Sequence, residues 1–162
     1  MRLKSALLAA GLGLAIVPAT YAATATGTLN LSITIQASCT VVSATAINFG
    51  SMATIAANVD QTSTLTVNCS STTPYTVSLG LGGGTGATVA SRKMMSGANL
   101  VNYTLYRDAL RTQLWGTTIG TDTVAGTGTG ANQTLTIYGR VPAQAVPPPG
   151  TYNDAVTVTV TY

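Results

Sequence analysis

Apolar and polar residues alternate along six stretches of this chain: Leu29–Ile35, Thr64–Cys69, Tyr75–Leu79, Val101–Tyr106, Thr134–Tyr138 and Val156–Tyr162. A period of two sends successive side chains to opposite faces of an extended backbone, so each stretch predicts a half-buried β-strand. A shorter strand is expected at Ala46–Phe49. Between these runs lie Gly80–Gly86, Ser96–Asn99, Gly126–Gly130 and Pro147–Gly150, whose glycines and prolines mark turns and loops.

The sequence contains no glutamate and is rich in threonine and valine, a bias away from strong helix formers and toward β-branched residues. Many short strands punctuated by Gly/Pro turns, with no long stretch of helical period, predict an all-β protein. The most economical form is an immunoglobulin-like sandwich. The phrases Thr64-Leu-Thr-Val and Thr134-Leu-Thr-Ile look alike, but they are too short and too irregularly spaced for a solenoid repeat.

The first residues read as an export signal. Arg2 and Lys4 precede an uncharged apolar run from Ala6 to Val17, shorter than the roughly 20 residues of a membrane span, and small residues suit cleavage after Ala22. Residues 1–22 are therefore expected to be a signal peptide, leaving about 140 residues, enough for one domain. Without Arg2 and Lys4, five basic residues face four acidic ones for a net charge near +1, too little cationic density for a nucleic-acid surface. In an oxidising compartment the two cysteines, Cys39 and Cys69, are expected to form one disulfide. Their spacing is not that of a redox pair, and with no histidine in the chain no zinc shell is completed.

The most informative segment is Gly27–Gln36. Leu29, Leu31, Ile33 and Ile35 share one face, while Asn30, Ser32 and Thr34 share the other. This stripe fits either the first strand of the chain's own sheet or an extension preceding a domain that begins near Cys39. The last alternating run ends at Tyr162, so a sandwich closing on that strand is expected to present an open edge, which is a template for another strand. If an apolar groove lies beside that edge, the stripe of a neighbouring copy can fill it by strand addition. Such a contact is heterologous and does not close on itself, so it grows a filament.

Taken in order, several stretches resemble a known family. They are Gly27-Thr-Leu-Asn-Leu-Ser-Ile-Thr-Ile followed by Cys39, Ile47-Asn-Phe-Gly50, Leu65-Thr-Val-Asn-Cys69, Ser91-Arg-Lys-Met, Asn102-Tyr-Thr-Leu-Tyr-Arg-Asp-Ala, Leu114-Trp-Gly116, Tyr138-Gly-Arg-Val-Pro142, and the closing run from Pro149 to Tyr162. The mature chain resembles the spore coat protein U domain family, which includes subunits of archaic chaperone-usher pili. The resemblance implies an incomplete immunoglobulin-like β-sandwich over residues 38–162, completed by a donor strand from a neighbouring subunit. It implies a donor extension at 23–37 with Leu29, Leu31, Ile33 and Ile35 at the donor positions, and a disulfide at Cys39 and Cys69. As partners it implies a periplasmic chaperone, an outer-membrane usher and other subunits in a head-to-tail polymer at the cell surface, serving attachment and biofilm formation. A tip adhesin would carry a further binding domain, so a shaft or minor subunit is favoured. The competing expectation is a monomeric adhesin or lectin-like module.

Other chemistry is not supported. Gly80–Gly86 follows a strand but lacks the Gly-Lys-Ser/Thr of a phosphate cradle, and is expected to be a flexible loop. Arg107, Asp108 and Arg111 are expected to form a turn with local ion pairing. Trp115 and the tyrosines are assigned to packing rather than sugar stacking. No catalytic set can be assembled, because histidine is missing and the four aspartates share no motif. No enzyme activity, metal or cofactor is expected.

Overall fold

A computed structural model describes residues 21–162, so the expected signal peptide lies almost wholly outside the described residues. The chain divides into an N-terminal unit ending at Thr34 and a folded unit over Ile35–Tyr162. In the first, residues 21–34 form no strand or helix, and Leu29, Leu31 and Ile33 are all more than 80% exposed. The alternation at Leu29–Ile35 thus has no ladder partner among the described residues.

The folded unit contains eight strands: β1 (Cys39–Ala44), β2 (Val59–Cys69), β3 (Pro74–Leu79), β4 (Arg92–Ser96), β5 (Asn99–Tyr106), β6 (Val124–Thr127), β7 (Asn132–Val141) and β8 (Val158–Thr161). Five build one sheet in the order β1-β2-β7-β5-β4, and three build a second in the order β6-β3-β8. Every registered pair is antiparallel.

The sequence alternation becomes burial wherever a strand has one face on the second sheet. On β2, Leu65 and Val67 are buried while Thr62 and Thr64 face out. On β3, Tyr75, Val77 and Leu79 are buried, and on β5, Val101, Tyr103 and Leu105. Each fully buried large side chain contributes about 1.5–3 kcal/mol. Trp115 has no accessible surface, and its indole Nε1–H donates to Val77 O at 2.9 Å, which satisfies the ring's polar atom inside the core.

Three strands escaped the sequence reading. β1 and β6 are short, β6 carries a glycine, and β4 (Arg-Lys-Met-Met-Ser) carries no clear apolar alternation. The strand expected at Ala46–Phe49 is a correction: after Thr45 N–H donates to Thr64 O at 2.9 Å, the backbone leaves the ladder. Ile47 and Phe49 instead lie over Gly139 of β7, where a Cβ would sit 3.0 Å from Phe49 Cζ and 3.2 Å from Ile47 Cδ1. Glycine here leaves room for two large side chains to cross the sheet's inner face.

The turn at Arg107–Arg111 is a second correction. Asp108 pairs with neither arginine; it accepts from Thr112 N at 3.0 Å, Gln113 N at 2.8 Å and Thr112 Oγ1 at 2.8 Å. Arg107 donates to Thr121 O and Thr123 O. Arg111 lies over the Tyr138 ring and reaches Asp60 at 3.4 Å, the carboxylate that Arg140 grips with two bonds of 2.7 and 2.8 Å. The ion pairing is long-range because Asp60 and Arg140 are register partners on β2 and β7.

Candidate functional site

β1 is bonded only to β2, and β8 only to β3, so each sheet presents an unpaired edge on the same side of the sandwich. Beside these edges, between the segment that leaves β1 (44–49) and the one that leads into β8 (152–158), the two layers do not close. A cleft of about 300 Å³ opens there, lined by inward-facing residues of both sheets, among them Leu79, Tyr103, Leu105, Ile137, Val156 and Val158. Val156, Val158 and Val160 pack against the core yet stay half-buried, whereas residues of like type on the doubly paired β2 are fully covered. The covering that a further strand would supply is missing along β8.

Both walls of the cleft are anchored. Cys39 and Cys69 face each other across β1 and β2 with Cα atoms 4.1 Å apart and are joined by a disulfide. It closes a separation of 30 residues, which on the chain-entropy model stabilises the fold by about 3–4 kcal/mol. The bond ties the edge strand to the interior of its sheet, since Cys69 has no accessible surface.

The opposite wall depends on polar groups that sequence reasoning did not single out. Asp154, just before β8, accepts from Tyr103 Oη on β5 at 2.5 Å through one oxygen. Its other oxygen accepts from Gly83 N at 2.7 Å and Ala155 N at 2.8 Å. Burial first, and then the bond to Asp154, pushes the Tyr103 hydroxyl far above its ordinary pKa, so it remains a donor throughout the usable pH range. Nearby, Arg92 of β4 is fully buried without a carboxylate partner. Its guanidinium donates to the carbonyls of Gly80 (2.8 Å), Leu79 (3.0 Å), Trp115 (2.7 Å) and Val89 (3.2 Å), joining the large sheet to the end of β3. Desolvation lowers its pKa, and four carbonyl dipoles stand in for water.

Of the residues expected to matter, Cys39 and Cys69 meet, and Ile35 stands exposed at the start of the folded unit, 84% accessible. The remaining stripe residues belong to the N-terminal unit described above. The four aspartates are engaged separately: Asp60 with arginines, Asp108 and Asp122 within their own loops, and Asp154 at the cleft. Among the described residues no group of three His, Cys, Asp or Glu side chains converges as for a metal.

Two antiparallel sheets packed face to face, with edges left open beside an apolar cleft, form an immunoglobulin-like β-sandwich. Residues 25–159 match the model of the Spore Coat Protein U domain, and the chain belongs to that family. It is 34% identical to Protein U of Myxococcus xanthus, over 87% of each chain. Its fold is similar to a chain in the crystal structure of the CsuC-CsuE chaperone-tip adhesion subunit pre-assembly complex, from archaic chaperone-usher Csu pili of Acinetobacter baumannii. That match has a TM-score of 0.58 at 23% identity and covers 80% of this chain but 41% of the other, so the chain spans less than half of that relative's length. The family is one of structural proteins and not of enzymes.

Proposed function

We propose that this protein is a structural subunit of a surface fibre, in which residues 23–37 of one copy fill the cleft beside the β1 and β8 edges of the next. The observation that carries this reading is the conjunction of an open apolar cleft, flanked by two unpaired strand edges, with a separate apolar stripe that has no covering of its own. Leu29, Leu31, Ile33 and Ile35 match the period-two spacing that a strand in such a groove requires. Moving these four side chains out of water contributes about 6–12 kcal/mol as an upper estimate. Ladder bonds to the edges add about 0.5–1.5 kcal/mol each.

An exposed groove and an exposed stripe are aggregation hazards before assembly. The subunit therefore needs a periplasmic chaperone that lends a strand and an outer-membrane usher at which the exchange takes place. The described relation to a chaperone–subunit complex supports the first partner. Residues 1–22 direct export in this scheme, and the assembled fibre stands at the cell surface, where it serves attachment and biofilm formation.

The test is co-expression with a candidate chaperone, followed by mass analysis of the periplasmic fraction. A one-to-one complex and a ladder of multiples are expected, with the ladder abolished when residues 23–36 are deleted and the one-to-one complex retained. A stable monomer with its own stripe sequestered, unchanged by that deletion, overturns the proposal in favour of a solitary adhesin module.

A further inference from the structure

The glycine-rich loop after β3 has no role in strand exchange as described so far, yet it is built around one carboxylate. Gly82 has φ +82°, and a Cβ there would fall 1.9 Å from Asp154 Oδ2. Gly83 N–H donates to Oδ1 at 2.7 Å. Only glycine at position 82 combines this backbone with so close an approach. The segment expected to be a flexible loop thus serves as a cradle that presents Asp154 to Tyr103.

The position of that bond gives it a consequence for the cleft. Asn153 exchanges two backbone bonds with Met95 of β4, at 2.8 and 3.0 Å, so the chain there still belongs to the large sheet. By Val158 it pairs with Leu79 on the small sheet. The backbone therefore crosses from one layer to the other between Asn153 and Thr157, and Asn153, Asp154 and Val156 of this crossing line the cleft. Tyr103 and Asp154 both line the cavity at this crossing, and their 2.5 Å bond ties β5 to the connecting segment four residues ahead of β8.

We propose that the Tyr103–Asp154 bond, held by the Gly82–Gly83 cradle, is a latch that sets the width of the cleft where the chain crosses between the sheets and fixes where an inserted strand stops. Tyr103 and Asp154 are then positioning residues for strand exchange, and the inference rests on the strand-acceptor reading above. The latch acts in two ways. It holds the segment that leads into β8 against β5, so that an inserted strand meets both ladders at once. It also places a carboxylate at the end of an apolar groove, where an additional apolar side chain would strip it of hydration without offering a partner. An apolar stripe of the right length seats fully; a longer one does not.

The experiment uses the purified full chain and a fluorescent peptide of residues 25–37, measuring release in an excess of unlabelled peptide. Two further peptides lengthen the apolar stripe by one position at either end. The wild type is expected to disfavour one lengthened peptide by at least tenfold. Tyr103→Phe, which removes only the hydroxyl, is expected to release the standard peptide at least tenfold faster and to lose that discrimination. Gly82→Ala displaces Asp154 from the other side with the tyrosine intact, and is expected to show the same two changes. Release within twofold of wild type with discrimination retained would overturn the latch. Collapse of the fold in both variants would also count against it, because the pair would then serve stability and not position. If the wild type binds none of the peptides, the strand-acceptor reading itself falls.

Discussion

Ile33 gives the sharpest test of the division between what holds a subunit together and what joins it to the next. It is 87% exposed, so Ile33→Asp removes no core contact of the chain that carries it. Its melting temperature should move by less than about 2 °C, as for other surface substitutions of about 0.5 kcal/mol or less. In the cleft of a neighbour the change is severe. The isoleucine would lose about 2–3 kcal/mol of apolar transfer, and the aspartate would bring an unpaired charge among Leu79, Leu105, Ile137 and Val158, costing at least about 3 kcal/mol more. A total near 5 kcal/mol lowers the affinity of a donor strand by roughly three to four orders of magnitude. The assays are peptide binding by anisotropy and the fibre ladder on a non-boiled gel. Fibres at normal yield would refute the assignment of Ile33 as a donor residue, and a large fall in melting temperature would show that it belongs to its own subunit's interior.

Three further outcomes follow from the rest of the structure. Cys39→Ser should cost about 3–4 kcal/mol and lower the melting temperature by about 10 °C, since it releases edge strand β1 from Cys69; an undiminished melt would remove the disulfide from the stability of the cleft wall. Arg92→Met should cost about 3 kcal/mol in chemical denaturation, because the carbonyls of Leu79, Gly80, Val89 and Trp115 lose their shared donor in a dry interior, whereas a solvated arginine would change stability by less than about 0.5 kcal/mol. Below neutral pH the dependence of stability on pH is set by carboxylates, as the chain has no histidine. The hydrogen bond from Arg140 holds the Asp60 carboxyl below its ordinary value, so the unfolded chain takes up that proton first as pH falls. Its contribution is fully present above about pH 4 and is lost as pH falls through the depressed folded value, so Asp60→Asn should flatten the acid limb of a stability curve and leave the curve between pH 5 and 8 unaltered in shape.

The legible part of the fold was the part in which burial follows the pleat. Thr64–Cys69, Tyr75–Leu79, Val101–Tyr106 and Thr134–Tyr138 each fall inside an observed strand with the expected residues inward, because each has one face on the second layer. Where that condition fails, so does the pattern. Arg92–Ser96 is a strand whose first inward residue is an arginine, and no alternation announces it. Ala46–Phe49 alternates but leaves the ladder, because Gly139 offers Ile47 and Phe49 a closer fit on the sheet's face than a neighbouring strand would. The Leu29–Ile35 stripe has the same local signature as the core strands; periodicity reports that a face is apolar and is silent on what will cover it.

From the sequence alone came the all-β class, the strands whose burial follows the alternation, the cysteine pair and the candidate donor residues, since these depend on residue type and on the period of two. The tertiary structure alone decided that a cleft lies beside the edges of β1 and β8, that Arg92 is sealed beneath four carbonyls, and that a glycine loop, an aspartate and a tyrosine, spread over more than 70 positions of chain, converge on that cleft. Such contacts arise from the stacking of two sheets, and stacking brings together residues whose distance along the chain carries no trace of their distance in space.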